Sequence, residues 1–193
     1  TFIQDLPGYL DEIENMITDN EIVLTRTRGV GLLTDAQAIN GSITGPMLRA
    51  SGVQWDLRKA HPYEVYDRLD FDIPIGALGD TFDRYMVRYT EMRESVKIIE
   101  QCVRDIPEGS IRTATPFFIR PPVGESYASV ESPKGELGFY LVSDGGISPY
   151  RCHVRAPSFI NITTLRDMLI GWKMSDLIII FGSIDIVLGE VDR

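Results

Sequence analysis

The longest regular pattern in this 193-residue chain is a stretch of helical periodicity that runs from Thr81 to Val103. Asp80 precedes the stretch as a capping residue, and Pro107 follows its end. A helix of this length needs neighbours to cover its apolar face, so we expect a helical bundle with that face in the core. The apolar face is formed by Phe82, Tyr85, Met86, Tyr89, Met92, Val96, Ile99 and Val103.

Shorter helical patterns lie on both sides of this long helix. Residues Leu10 to Ile17 have helical spacing, and residues 34–40 are typical of a short helix capped by Thr34. Further along, apolar residues within 165–172 fall on one side of a helix. Ser175 is placed to cap a last buried helix, which Gly182 is expected to end.

A different pattern separates the two helical regions. Residues 126–132, 137–142 and 150–155 are typical of strands, and the first two are joined by a four-residue turn sequence that ends in glycine. The sequence therefore predicts a mainly helical α+β fold with a long bundle helix, a small antiparallel three-stranded sheet and buried C-terminal helices. We expect one domain over residues 1–193, with a helical part at 1–106, a hairpin part at 107–157 and C-terminal helices and a tail at 158–193.

The third predicted strand alternates cleanly between two faces. Tyr150, Cys152 and Val154 point one way. Arg151, His153 and Arg155 point the other way. A basic face of this kind is usually a solvated outer face of a hairpin. In an acidic protein it is also a reasonable docking surface for a partner, and both interpretations stay open.

The charge and cysteine content exclude several classes of function. With 19 basic and 28 acidic residues the formal net charge is −9, which argues against a surface that grips nucleic acid. Cys102 and Cys152 lie far apart, and only His61 and His153 could add imidazole ligands. A zinc or iron–sulfur site within the chain is therefore not expected. We expect two reduced thiols packed as small hydrophobic side chains.

The N-terminal sequence has no basic start followed by an apolar region, so a signal peptide is not predicted. It also lacks an initiator methionine, which suggests that the chain begins inside a longer polypeptide. The longest apolar runs are far shorter than the roughly 20 residues that span a bilayer. Any connection to a membrane would therefore go through another subunit.

An irregular segment at residues 49–59 concentrates arginine, aspartate, tryptophan and glycine. Segments without helical or strand periodicity carry functional sites disproportionately often. Arg49 or Arg58 could form a bidentate pair with Asp56 or with another carboxylate. Spacing alone favours a structural and a functional ion pair equally.

Asp185 is the most informative single residue, because it interrupts an apolar run near the end of the chain. Its neighbours Ile184 and Ile186 predict a buried segment, in which an unpaired carboxylate would gain a proton or a partner. Such carboxylates are candidates for functional sites. The alternative is a carboxylate that caps a helix end or pairs with a nearby arginine.

Four segments together resemble a known family. They read GPMLRASGVQWDLRK at 45–59, ESPKGELGFYLVSDG at 131–145, PYRCHVRAPSF at 149–159 and GSIDIVLGEVDR at 182–193. The chain is similar to the D subunits of NADH-quinone oxidoreductase, the large quinone-site subunits of respiratory complex I. The resemblance runs in order along the chain and covers the C-terminal half of such a protein, with a shorter segment at 111–125.

The resemblance implies a role in quinone reduction at the end of an electron-transfer chain. It places Asp185, Val187 and Glu190 at the quinone cavity, with Glu190, Asp192 and Arg193 at a buried terminus. A His and a Tyr that hydrogen-bond the quinone headgroup are expected in the N-terminal half, so an isolated fragment would be inactive. Contacts with other subunits are expected for the arginines Arg49, Arg58, Arg151, Arg155 and Arg193.

The same resemblance implies which cofactors and partners to expect. Quinone is the substrate, this chain binds no cofactor, and flavin and iron–sulfur clusters belong to partner subunits. The expected partners are the subunit with the terminal cluster and the membrane subunit at the quinone entrance, on the cytoplasmic side of the cell membrane.

Two alternative functions remain. The family resembles the large subunit of nickel–iron hydrogenases, where a C-terminal DPCxxC motif holds nickel. Residues 185–190 contain no cysteine, so a hydrogenase-type subunit would have lost its nickel. The other alternative is a structural module that is needed only for assembly.

Overall fold

The structure is a computed structural model that describes residues 2–192. Its architecture is α+β, as predicted, and along the chain one small sheet is preceded and followed by helices. The division of the domain into parts at 1–106, 107–157 and 158–193 stays a prediction. In the first part of the chain the helices are α1 Phe2–Ile13, α2 Glu21–Thr27, α3 Asp35–Asn40, α4 Pro46–Ala50, α5 Leu57–Ala60 and α6 Thr81–Asp105.

The predicted long helix is α6, and its predicted cap is confirmed. The Asp80 carboxylate accepts hydrogen bonds from the backbone N–H of Asp83 and from that of Gly29, both over 2.7 Å. These bonds satisfy one of the free donors at the start of the helix and attach a glycine turn to it. Helices α1, α2 and α4 pack against α6.

The apolar stripe of α6 is buried only in part. Tyr89 and Val96 form a cluster with Leu10 of α1, whereas Met92, Ile99 and Val103 are exposed. The expectation that the whole stripe lies in the core is therefore wrong. The cluster with α1 ends at Val96, and the last turns of α6 extend beyond it.

The main core joins the first part of the chain to the last. Side chains from residues 30–48 pack against Met168, Ile180 and Ile184, each of which is at most 2% exposed. The predicted cap of the short helix α3 is also confirmed, because Thr34 forms a capping box with Gln37.

The sheet has the predicted three antiparallel strands in the order β1-β2-β3: β1 Gly124–Ser132, β2 Gly135–Ser143 and β3 Arg151–Arg155. Ser132 pairs with Gly135, so Pro133 and Lys134 form a two-residue turn. A Cβ atom added at Gly45 would lie 2.4 Å from the Cα atom of Gly135. The turn of the sheet therefore packs directly on the residue that precedes α4.

The outer part of the sheet is exposed, which contradicts one expectation. The first five residues of β1 are solvent-exposed, and so is Cys152 in β3. Cys102 near the end of α6 is exposed as well. The prediction that both thiols pack as hydrophobic side chains is wrong, because each lies on an element that extends beyond the core.

The C-terminal helices are α7 Pro157–Asn161, α8 Leu165–Leu169, α9 Leu177–Ile184 and α10 Leu188–Val191. The predicted boundaries of α9 are wrong: it begins after a short 3₁₀ turn, without a side-chain cap, and continues through Gly182. It ends where Asp185 adopts a left-handed backbone conformation, with φ 60° and ψ 57°. It is also buried on one side only, since Ile180 is inaccessible and Ile178 is 77% exposed.

Candidate functional site: a charged cleft at the end of α9

A cleft of about 500 Å³ lies between α6, the β1–β2 turn and the end of α9. Its walls bring together charged side chains that are far apart in the sequence. We call three of them, Arg88, Lys134 and Asp185, the rim. We call five further residues the inner cluster: Arg49, Asp56, Arg58, Glu91 and Glu131.

At the rim, two cations share one carboxylate. The Asp185 carboxylate accepts a hydrogen bond from Lys134 and lies 3.4 Å from the Nε atom of Arg88. Its side chain is 45% exposed, so the prediction of a buried carboxylate is wrong. The alternative from the sequence, a carboxylate at a helix end that pairs with an arginine, is what the structure contains.

Arg84 and Arg88 attach the end of α9 to α6. The Arg88 guanidinium donates to the carbonyl oxygen of Ile184 over 3.0 Å, and that of Arg84 donates to the Ser183 hydroxyl over 2.9 Å. Arg84 also donates to the carbonyl oxygens of Gly79 and Gly31 and is fully buried. Burial lowers the pKa of Arg84 to about 10, so it stays charged at neutral pH.

The position of Lys134 is fixed by the turn that carries it. The Asn161 side chain donates to the carbonyl oxygen of Lys134 over 3.1 Å, and the backbone N–H of Glu136 donates to the Thr44 hydroxyl over 3.0 Å. Contacts from α7 and from the segment just before α4 therefore hold the turn against the body of the protein. The Lys134 ammonium group faces Asp185 as a result.

Arg49 is the centre of the inner cluster. Its side chain is 1% exposed and donates to Glu91 over 2.6 Å, to Glu131 over 2.8 Å and to the carbonyl oxygen of Trp55 over 2.9 Å. A buried guanidinium is tolerated when its donors are matched by acceptors in this way.

Arg58 and Asp56 form the bidentate pair that the sequence indicated. The Nε atom of Arg58 donates over 2.9 Å and its Nη2 atom over 2.6 Å to the two carboxylate oxygens. Arg49 lies 3.6 Å from the same carboxylate. Burial desolvates Asp56, but the bonds from Arg58 and the charge of Arg49 outweigh this effect and hold the pKa of Asp56 below its usual range.

At Glu131 the effect of burial on the pKa outweighs the effect of the charged partners. Its side chain is 4% exposed and accepts one bond from Arg49 and one from the backbone N–H of Leu57 over 3.2 Å. Burial raises the pKa of Glu131, Arg49 opposes this, and the neighbouring charge of Asp56 adds to the increase. One cluster therefore contains two carboxyl groups whose pKa values move in opposite directions, as neighbouring acids often do at functional sites.

Val187 and Glu190 lie outside the lining of this cleft. Glu190 accepts bonds from the backbone N–H and the hydroxyl of Ser158, over 3.0 and 2.6 Å, which attaches α10 to the start of α7. Val187 is 41% exposed, and Asp192 is exposed too. The expectation of a buried terminus is therefore wrong for Asp192, whereas Glu190 is partly buried. Arg193 lies outside the described residues.

The arginines expected to contact other subunits occupy different environments. Arg151 is exposed, while Arg155 donates to the carbonyl oxygens of Glu136 and Ser42, over 2.7 and 3.1 Å. Arg49 and Arg58 pair with carboxylates within the chain, and Arg49 has almost no exposed surface. The subunit contacts of all five arginines stay predictions.

Four charged residues that line the cleft were missed at the sequence level: Arg88, Glu91, Glu131 and Lys134. A signal for the first two was present, because polar residues at 84, 88, 91 and 95 follow helical spacing beside the apolar stripe. Glu131 and Lys134 had no such signal, since they reach the cleft only through the docking of the sheet.

Two features are absent from the described residues. Between residues 2 and 192, no group of three His, Cys, Asp or Glu side chains is arranged to hold a metal ion. No helix in this part of the chain has the length and apolar character needed to cross a membrane.

Comparison with known proteins places the chain among the subunits of respiratory electron-transfer complexes. The family described as "Respiratory-chain NADH dehydrogenase, 49 Kd subunit" matches residues 1–122 and 114–193, and the chain belongs to this family. The resemblance predicted from four sequence segments is thereby confirmed.

Several curated relatives are named as D subunits of NADH-quinone oxidoreductase. The chain is 59% identical over 191 residues to the protein from Dehalococcoides mccartyi, and this match covers 99% of the chain and 52% of the relative. It is 53% identical to the proteins from Roseiflexus sp. and Desulforamulus reducens, with 99% of the chain and 53% or 52% of the relative covered. The chain thus spans about half the length of the curated relatives it matches.

Proposed function

We propose that this chain forms part of the quinone-reducing end of an NADH-quinone oxidoreductase, with the rim of the charged cleft in the wall of the quinone cavity. The observation that carries the proposal is the position of Asp185. The sequence singled out this acid in the tail, and it lines a cleft together with Arg88 and Lys134. The names of the relatives support the same reaction.

The rim has a simple electrostatic role in this proposal. Two cations and one carboxylate leave an excess of one positive charge at the rim. A quinone headgroup gains negative charge as it accepts electrons, and a fixed positive charge favours that state. Val187 and Glu190 would extend the wall along the tail, where the exposed side chain of Val187 offers an apolar contact.

The remaining parts of the reaction are assigned to partners. Flavin and iron–sulfur clusters on other subunits would deliver the electrons, and a membrane subunit would admit the quinone on the cytoplasmic side of the membrane. The arginines Arg49, Arg58, Arg151, Arg155 and Arg193 remain candidates for contacts with these subunits. We also propose that the chain shares the architecture of the hydrogenase large subunit. It would hold no nickel, because residues 185–190 contain no cysteine to supply a thiolate ligand.

Asp185→Asn in the assembled oxidoreductase tests this function. We expect slower reduction of quinone by NADH and altered sensitivity to inhibitors that compete with quinone, while a soluble acceptor that takes electrons upstream is reduced at the normal rate. Asp167→Asn, which neutralises an exposed acid on α8, is the matched control and should leave every rate unchanged.

The same variant separates this function from a purely structural one. Normal assembly together with unchanged quinone kinetics and inhibitor sensitivity in Asp185→Asn would favour a role in assembly alone and would contradict the cavity-wall proposal.

A further inference from the structure

We propose that the inner cluster binds one exchangeable proton, held by Glu131, and that its occupancy follows the charge at the rim. This inference rests on the proposed function in one respect only: the quinone headgroup is the group that would change the charge at the rim. Binding of the proton itself needs no substrate.

The arrangement of charges in the cleft is the first argument. The inner cluster contains three carboxyl groups, Asp56, Glu91 and Glu131, and only two guanidinium groups, so it has one acid in excess. The rim has the reverse imbalance, with two cations and one acid. The two imbalances cancel across one cleft, and the charge state of the inner acids therefore depends on what happens at the rim.

The hydrogen bonds identify which inner acid holds the proton. Asp56 is held by both arms of Arg58, and Glu91 accepts a 2.6 Å bond from Arg49 and is partly exposed. Glu131 is more buried than Glu91, and its charged donor is the arginine that it shares with Glu91. Its second bond, from the backbone N–H of Leu57, comes from a neutral donor over 3.2 Å. Because burial favours the neutral form of a carboxyl group, the most buried acid with a shared charged donor is the one that holds the proton.

The groups that face Glu131 come from several elements. Arg49 comes from α4, Asp56 and Arg58 from the start of α5, and Glu91 from α6. The Tyr63 hydroxyl accepts a bond from the backbone N–H of Glu131 over 3.1 Å. The charges of these four ionised groups sum to zero before Glu131 is counted, so an ionised Glu131 gives the cluster a net charge of −1 and a protonated Glu131 makes it neutral.

The coupling follows from electrostatics and breaks no bond in a substrate. Negative charge near Arg88 and Lys134 reduces the positive potential that these cations exert on the inner cluster, and the affinity of Glu131 for a proton rises. Because Glu131 lines the cleft, water can deliver the proton, which converts its carboxylate to a carboxylic acid. When the negative charge leaves, the proton returns to water.

Infrared titration of the 193-residue chain is the test. We expect a protonated-carboxyl band that disappears at a pH above the ordinary range of glutamate and that is absent in Glu131→Gln. Glu100→Gln, an exposed acid on α6, is the matched control and should keep the band. A chain without such a band, or a band that persists in Glu131→Gln, would overturn the inference.

A second variant tests the coupling and stays informative if Glu131→Gln does not fold. Asp185→Asn removes the acid of the rim, so the band should disappear at a lower pH than in the original chain. An unchanged midpoint would overturn the link to the rim. Since the titration uses no quinone, its failure is distinct from normal quinone kinetics in Asp185→Asn, which would overturn the proposed function instead.

Discussion

The Nε atom of Arg88 lies 3.4 Å from the carboxylate of Asp185 and joins the first third of the long helix α6 to the residue that ends α9. The same guanidinium donates to the carbonyl oxygen of Ile184. A single side chain therefore fixes both the backbone and the charge at the start of the tail. The C-terminal segment depends on α6 for its position.

Removal of that link should destabilise the protein. Arg88→Met leaves the Ile184 carbonyl without its charged donor, and hydrogen bonds to charged groups contribute about 1.5–3 kcal/mol. We expect a loss of that size in the free energy of unfolding, measured with urea. Arg68→Met, at a mostly exposed arginine, is the control and should change little. An equal effect of both variants would contradict the role of Arg88.

A larger loss is expected when the centre of the inner cluster is removed. Arg49→Met leaves Glu91 and Glu131 without their common donor, and breaking a buried ion pair from one side costs about 3–5 kcal/mol. Denaturant titration should detect this loss, whereas Arg104→Met at an exposed pair should leave the midpoint almost unchanged. Only a small effect at Arg49 would mean that the carboxylates find other partners.

Asp56 predicts a loss of stability in acid. Its pKa is lower in the folded protein than in the unfolded chain, where a value near 3.8 applies. Its contribution to stability is therefore fully present above that value and is lost as the pH falls through the lowered pKa. In Asp56→Asn, the free energy of unfolding should fall less steeply over this acid range. An unchanged slope would contradict the lowered pKa.

The raised pKa of Glu131 predicts the opposite dependence of stability on pH. Its pKa is raised in the folded state, so the folded protein binds more protons than the unfolded chain between the ordinary value of 4.5 and the raised one. Stability should consequently fall as the pH rises through this interval. Unfolding measured at closely spaced pH values should show this decline in the original chain, and Glu131→Gln should remove it. A decline that survives the substitution would assign it to another group.

Substitution by alanine should change the stability of the protein in opposite directions at two glycines. At Gly45, φ is 73° and an added Cβ would lie 2.4 Å from the backbone of Gly135, so Gly45→Ala should destabilise the contact between the sheet and α4. At Gly182, inside α9, an added Cβ meets nothing within 4 Å. Gly182→Ala should stabilise the protein by up to about 1 kcal/mol because alanine favours helix. Thermal unfolding of both variants provides the comparison.

The sequence predicts those parts of the fold that depend on local patterns. The capping of α6 by Asp80 and of α3 by Thr34 follows from residue type and spacing, and so does the turn between β1 and β2. The end of α9 was misplaced at Gly182, because Asp185 can adopt the left-handed conformation that glycine usually provides.

Only some of the residues of the cleft could be predicted from the sequence. Asp185 and the Arg58–Asp56 pair stand out in the sequence, but the residues that complete the site come from α6 and from a turn of the sheet. Their meeting depends on how the sheet packs against Gly45 and how α9 packs against α6, and no local periodicity encodes either contact. The exposure of the tail likewise depends on tertiary packing, which the apolar run at 184–188 did not indicate.

The left-handed backbone at Asp185 restricts which mutations this position can accept. Asparagine and glycine adopt that conformation at little cost, whereas β-branched and bulky residues are strained there. Charge can therefore be removed from this position without redirecting the tail, but size cannot be added freely. A saturation library at position 185 would separate the two constraints, because tolerance of asparagine reports on the carboxylate and rejection of valine reports on the chain path.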